Sequence, residues 1–357
     1  MSTSVSILFA ILIFSILIFV HELGHFLTAK AFKVRVNEFS MFMGPAIFKK
    51  QIGETLYAIR CIPVGGYCAM EGEDEDTDDP RSFQKASWWK RLIILVAGAA
   101  MNFLIGLLLF AIVFMPMERM TVPTISSFEE GCTINGTDGL RVGDEILQID
   151  GEKIFVYSDI STILYLNGGE VHDLVVLRDG EEVVLDDFLM QTHEFPNEDG
   201  TTSLRYGMTF TAITPSFLDK MEYVWDYTID NIRNVRLSLQ MIFTGKAGLK
   251  DMSGAVGIVD MMTTAATTSE TWIDALLTQL YFGGFLAVNL AVMNLLPVPA
   301  LDGGRAVALL LTTGVEKITK KKIDPKYEGY LHAAGMILLL ALMALITFKD
   351  IFTIIKR

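Results

Sequence analysis

Cysteine is scarce in this chain, with Cys61, Cys68 and Cys132 the only three among 357 residues. Cys61 and Cys68 stand seven apart without a C-x-x-C spacing, so a metal site built on paired thiols is not expected. Basic charge is also in short supply: 29 Lys and Arg face 42 Asp and Glu, a formal net charge of −13. That balance disfavours nucleic acid as a partner. Charge of either sign is missing from the first twenty residues, MSTSVSILFAILIFSILIFV. No internal repeat or low-complexity segment stands out.

What the chain has instead is apolar length. It is 51% hydrophobic with a mean hydropathy of +0.42, too apolar for an ordinary soluble protein of this size. Three further runs without Asp, Glu, Lys or Arg follow the first, at 92–115, 275–301 and 329–348. Each reaches the roughly 20 residues needed to cross a bilayer core of about 30 Å, so four spans are expected. The first run has no basic n-region and no small-residue cleavage site, which sets it apart from a signal peptide.

Basic residues near the spans set the expected orientation. The segment 28–91 holds Lys30, Lys33, Arg35, Lys49, Lys50, Arg60, Arg81, Lys85, Lys90 and Arg91, and the stretch after 301 holds Arg305, Lys317, Lys320, Lys321, Lys322 and Lys326. Both belong in the cytoplasm, which puts the N-terminus and the segment 118–270 outside. Lys349, Lys356 and Arg357 argue mildly against this. The outer segment carries ten Lys and Arg against 26 Asp and Glu. Cys61 and Cys68 then face the cytoplasm and Cys132 the outside, so no pair shares the outer compartment and no disulfide framework is expected. The acidic run EGEDEDTDD at 71–79 reads as a solvated cytoplasmic loop.

Between the first two spans, 34–70 reads as short strands with turns, the Gly65-Gly66 pair suggesting β-hairpins where an extended partner adds as a strand. In the outer segment, GTDGLRVGDEILQIDGEKI at 136–154 gives an apolar strand EILQI and a tight turn at Asp150-Gly151, followed by a short helix and a second hairpin at Asp179-Gly180. This pattern resembles a PDZ domain. It would bind a peptide end or strand, or act as a size filter with no peptide ligand. Residues 216–250 have amphipathic helical character, suited to a membrane surface or to packing between domain and membrane.

The chemistry begins at HELGH, residues 21–25. In a helix His21 and His25 lie one turn apart on one face and reach a single metal, with Glu22 beside them to act as general base. An ionised group at the end of a membrane span is costly without a purpose. A catalytic zinc needs a third protein ligand. His172 and His193 lie on the wrong side, and Asp274 sits at the outer edge of its span. Asp302, in NLLPVPALDGGR, shares the depth of HELGH, after Pro297 and Pro299 break the helix. It is the candidate third ligand, with capping of the helix from Gly303 as its alternative role and His332 as a reserve ligand.

HELGH in a first span, NLLPVPALDGG in a later one and a PDZ-like insert between them resemble the site-2 protease family of intramembrane zinc metalloproteases, and in particular its bacterial branch, which acts in regulated proteolysis of anti-sigma factors. The resemblance covers nearly the whole chain. It implies one zinc per chain on His21, His25 and Asp302, with Glu22 and Asn294 catalytic and Asn289 opening the substrate helix; in the hairpin region Gly66 is the candidate substrate contact. It implies single-pass membrane substrates, such as anti-sigma factors or signal-peptide remnants, shortened first by a site-1 type protease, and residence in the bacterial cell membrane. Two departures stand out: Ala255 where relatives usually carry proline, and AGAAMN at 97–102 without the usual proline after glycine. A scaffold with a PDZ domain and a structural metal site is the alternative; it would normally close its zinc with four protein ligands.

The expected architecture is a polytopic α-helical membrane protein of about four transmembrane helices, with a cytoplasmic membrane-associated β-hairpin region and one extracytoplasmic PDZ-like β-rich domain. Its segments are 1–30 (first span), 31–90 (hairpins and acidic loop), 91–117 (second span), 118–212 (PDZ-like domain), 213–270 (amphipathic segment), 271–304 (third span), 305–328 (basic loop) and 329–357 (fourth span and tail).

Overall fold

The computed structural model describes residues 1–73, 77–136, 139–196, 201–248, 250–320 and 326–356. In chain order the elements are α1 (Thr3–Ala31), β1 (Val36–Ile52), β2 (Thr55–Met70), α2 (Trp88–Phe114), β3 (Met120–Phe128), β4 (Glu145–Ile149), β5 (Glu152–Lys153), α3 (Ser158–Asn167), β6 (Val171–Arg178), β7 (Glu181–Leu189), β8 (His193–Pro196), β9 (Thr202–Arg205), β10 (Met208–Ile213), α4 (Phe217–Phe243), α5 (Ala255–Thr268), α6 (Trp272–Leu295), α7 (Asp302–Thr319) and α8 (Lys326–Ile355). They form two compact units, one from Met1–Val113 with Asn231–Arg357, the other Phe114–Asp230.

Four helices of the first unit are long and apolar enough to cross a membrane: α1, α2, α6 and, over Gly329–Ile355, α8. The chain is a multi-pass membrane protein. In α8 the side chains of Ile337, Leu338 and Leu340 stand exposed, a surface that lipid covers. Helix α6 starts where Thr271 accepts from the Asp274 amide at 3.1 Å and stops just before Pro297. Ala255 is the first residue of α5. Proline is at home at that position because the N–H there has no helical partner, so alanine substitutes without disturbing the fold. The amides of Gly254 and Gly257 at this end donate to Asp350 of α8, at 2.8 and 3.0 Å.

Two local expectations need correcting. The stretch expected as a basic loop over 305–328 is helix α7 as far as Thr319, ending at Lys320 in a left-handed conformation; residues 321–325 lie outside the described residues. The Gly65-Gly66 pair is no turn. It lies inside β2, which forms with β1 one long hairpin turning at Gly53. Both strands double back, helped by left-handed backbone at Phe42, Gly44 and Gly65. As a result Phe39 pairs with Cys68 on one side and Tyr57 on the other, while Lys50 also pairs with Tyr57. The segment 66–70 is left at an edge.

The second unit holds a sheet ordered β10-β3-β4-β6-β7, with β5 paired to β4 and a separate β8-β9 hairpin. Asp150-Gly151 and Asp179-Gly180 both take positive φ, as two-residue hairpin turns require. Ile125, Leu140, Ile146, Ile149, Ile163 and Leu174 form its core, with α3 supplying Ile163.

Candidate metal centre

Helix α1 runs unbroken through HELGH, and His21 Nε2 and His25 Nε2 come to 3.2 Å. The crossing with α2 makes room for the rings. A methyl group on Gly24 would lie 2.4 Å from the Ala97 carbonyl oxygen, and one on Gly98 would lie 2.4 Å from His25 Nε2 and 2.7 Å from His21 Cε1. Glycine at 24 lets the backbones approach, and glycine at 98 leaves space for both imidazoles. His25 Nδ1 is 2.7 Å from the Ile94 carbonyl oxygen, which can only accept. The ring therefore carries its proton on Nδ1 and presents a lone pair at Nε2.

Asp302 arrives from the broken end of α6. It is the first residue of α7, and Leu301 holds the cap position without a side-chain cap bond, so the capping role weighed for Asp302 is not the one it takes. Its Oδ2 lies 3.0 Å from His21 Nε2 and 3.4 Å from His25 Nε2. The turn that delivers it is tight: a methyl group on Gly303 would meet the Leu295 carbonyl at 2.3 Å, and one on Gly304 would meet the Val298 oxygen at 2.2 Å. His332 is not in the cluster. Its Nδ1 accepts from the Ala300 amide at 3.0 Å, two residues before Asp302.

The three atoms suit a metal. Asp302 Oδ2 is buried, and neither histidine contact has hydrogen-bond geometry. Tetrahedral zinc with bonds of about 2.0–2.1 Å sets its ligands roughly 3.3 Å apart; here the separations are 3.0, 3.2 and 3.4 Å. Among the described residues this is the one group of three or more His, Cys, Asp or Glu side chains so gathered. Two nitrogens and one carboxylate oxygen are a donor set for zinc.

Glu22 faces the edge segment of β2, its side chain lying against Gly66: a methyl group there would sit 3.3 Å from Glu22 Cγ. Burial, reinforced by Glu22 and Glu73, pushes the Cys68 thiol well above the usual range, so this neighbour stays a neutral thiol. Asn294 Nδ2 is 3.5 Å from His21 Nδ1. Asn289 donates to the Phe285 carbonyl at 2.7 Å, one turn back in its own helix, and no described contact links it to the histidines. Sequence reasoning singled out AGAAMN at 97–102 only for its lack of proline and gave no role to Asn102 of α2, whose Nδ2 is 3.3 Å from His21 Nδ1. It likewise gave none to Gly98 and missed the role of His332.

A zinc-type donor set on a helix long and apolar enough to cross a membrane, completed where the chain breaks between α6 and α7, suits the metal centre of a membrane metalloenzyme. The profile of peptidase family M50 matches residues 9–342, and the chain belongs to that family, the site-2 protease zinc metalloproteases. A Clostridium acetobutylicum protein bearing a zinc metalloprotease name is 36% identical over 352 residues, 97% of each chain. The regulator of sigma-W protease RasP of Bacillus subtilis is 27% identical over 425 residues, covering 96% of this chain and 97% of its own. The zinc metalloprotease RasP of Shouchella clausii is likewise 27% identical, over 429 residues, 96% of this chain and 97% of its own.

Proposed function

We propose that the protein cleaves single-pass membrane proteins within the membrane, with one zinc on His21, His25 and Asp302. The convergence of three lone-pair atoms within 3.4 Å, two from a helix otherwise built for lipid and one from the start of α7, supports this reading. Zinc held there supplies a Lewis acid and lowers the pKa of water toward neutrality. Glu22 takes the proton of the attacking water and passes it to the leaving amine. Asn294 donates to the oxyanion that develops on the scissile carbonyl. A helical substrate hides its carbonyls, so it unwinds locally. The edge of β2 at Gly66 takes the opened strand, and Asn289 supplies an amide to backbone groups that lipid cannot satisfy.

In this reading the clustered Lys and Arg of 28–91 and of the stretch from Arg305 face the cytoplasm, and the N-terminus and second unit lie outside the bacterial cell membrane. The second unit acts as a PDZ-like filter or strand binder; its paired two-residue turns and short helix α3 support that. It admits substrates such as anti-sigma factors or signal-peptide remnants after a site-1 type protease has trimmed them. Zinc content of the purified protein is the test. One equivalent is expected for wild type and a small fraction of that for His25→Ala or Asp302→Ala. Full zinc in either variant would overturn the ligand set.

A further inference from the structure

His21 turns its Nε2 toward Asp302 and its Nδ1 toward two amides, Asn102 from α2 and Asn294 from α6. A single ring nitrogen makes one such bond, so the two amides do not share one task. Asn102 is the closer, at 3.3 Å against 3.5 Å, and is only 1% exposed, whereas Asn294 is half-buried. Asn102 Oδ1 is buried with no hydrogen-bond partner among the described residues.

The chemistry of the ring decides what Asn102 must offer. A neutral imidazole that gives its Nε2 lone pair to a metal carries its proton on Nδ1 and needs an acceptor there. His25 has one in the Ile94 carbonyl. His21 has no backbone carbonyl in that place; it has the Asn102 amide. As placed, the NH2 end faces Nδ1 and suits a ring protonated on Nε2. Half a rotation about the last side-chain bond brings the unspent carbonyl oxygen to Nδ1 and suits the metal-binding tautomer.

We propose that Asn102 is the positioning residue for His21: its carbonyl accepts from Nδ1–H, fixes the Nε2 lone pair toward the metal, and leaves Asn294 free to face substrate. This rests on His21 being a ligand, as argued above. Ser or Asp at 102 would keep an acceptor; Leu would keep the bulk without one.

The test is cobalt affinity of the purified full-length protein in detergent, read by chelator competition and by the visible spectrum of the bound ion. Asn102→Leu is expected to bind cobalt about 10- to 100-fold more weakly, the usual effect of losing a ligand's supporting hydrogen bond. Asn102→Asp is expected to stay close to wild type. If Asn102→Leu does not fold, Asn102→Ala in its place is expected to show the same ordering. Wild-type affinity in the apolar variant would overturn the proposal, as would a lower metal-free melting temperature with unchanged cobalt affinity. His21→Ala separates the two layers. If it binds cobalt like wild type, the ligand assignment falls and this inference with it. If it loses cobalt while the apolar variant does not, the role of Asn102 alone falls.

Discussion

Ala300 sits at φ +84°, and its amide donates to His332 Nδ1 at 3.0 Å. A left-handed alanine costs about 1–3 kcal/mol and persists only where its surroundings hold it. The holders are His332 and the close seat of Pro299 against Gly335, where a methyl group would come within 2.5 Å of the Pro299 Cβ. The strained residue is two positions before Asp302, so helix α8 braces the turn that delivers a candidate ligand. His332→Ala is expected to loosen the turn and slow cleavage by about tenfold or more, since misplacement by about 1 Å can cost 10²-fold. Adding Ala300→Gly, which removes the strain, is expected to restore part of the loss. An unchanged cleavage rate in His332→Ala would contradict this.

Gly98→Ala is expected to abolish metal binding while leaving helix content intact. The added methyl would sit 2.4 Å from His25 Nε2 and 2.8 Å from His21 Nε2, and the first ring is pinned by the Ile94 carbonyl. Zinc content and circular dichroism of the purified variant check it. Bound zinc at the wild-type level would mean that the crossing is looser than described.

In the second unit, Asp144 is 1% exposed and accepts two bonds from Arg178, at 2.8 and 2.7 Å. It also accepts from the Arg141 amide at 2.8 Å. Removing one partner of a buried pair strands the other, a loss of about 3–5 kcal/mol. Asp144→Ala is therefore expected to lower hydrogen-exchange protection across 114–230 and leave zinc content unchanged. Unaltered protection would contradict the assignment.

Acid should weaken the same unit through Asp150. Burial raises this carboxyl, but the His172 ring, the Asp173 amide and the Asn167 amide outweigh it and hold it below the ordinary aspartate value. A carboxyl lowered by folding contributes stability that is present above the unfolded value of about 3.9 and is lost as pH falls through the lower folded value. Protection of 114–230 is expected to fall below about pH 4 in wild type, and Asp150→Asn is expected to lose that part of the pH dependence. A variant profile identical to wild type would contradict it.

Much of the site was legible because its chemistry is local in sequence. His21 and His25 need only a helix to converge, and Pro297, Pro299 and the Gly303-Gly304 pair mark where a helix breaks to present Asp302. The apolar runs marked the four long helices for the same reason. The rest depends on partners remote in sequence. Nothing beside Asn102 says that His21 lies against it, 81 positions away. His332 looked like a spare ligand because its partner is a backbone amide, which no side-chain pattern announces. Helix α7 was hidden by Arg305, Lys317 and Gly314, although Val307, Leu310 and Leu311 continue an apolar pattern. The doubled-back β1–β2 hairpin escaped notice because Gly65 and Gly66 suit a turn as readily as a sharp bend within a strand.

The most direct test of the central claim is cleavage of an ectodomain-trimmed single-pass substrate in membranes by wild type and by Glu22→Gln, with zinc measured in both. The account predicts cleavage inside the span by wild type, none by the variant, and equal zinc in the two. Cleavage at the wild-type rate by Glu22→Gln with zinc in place would contradict it.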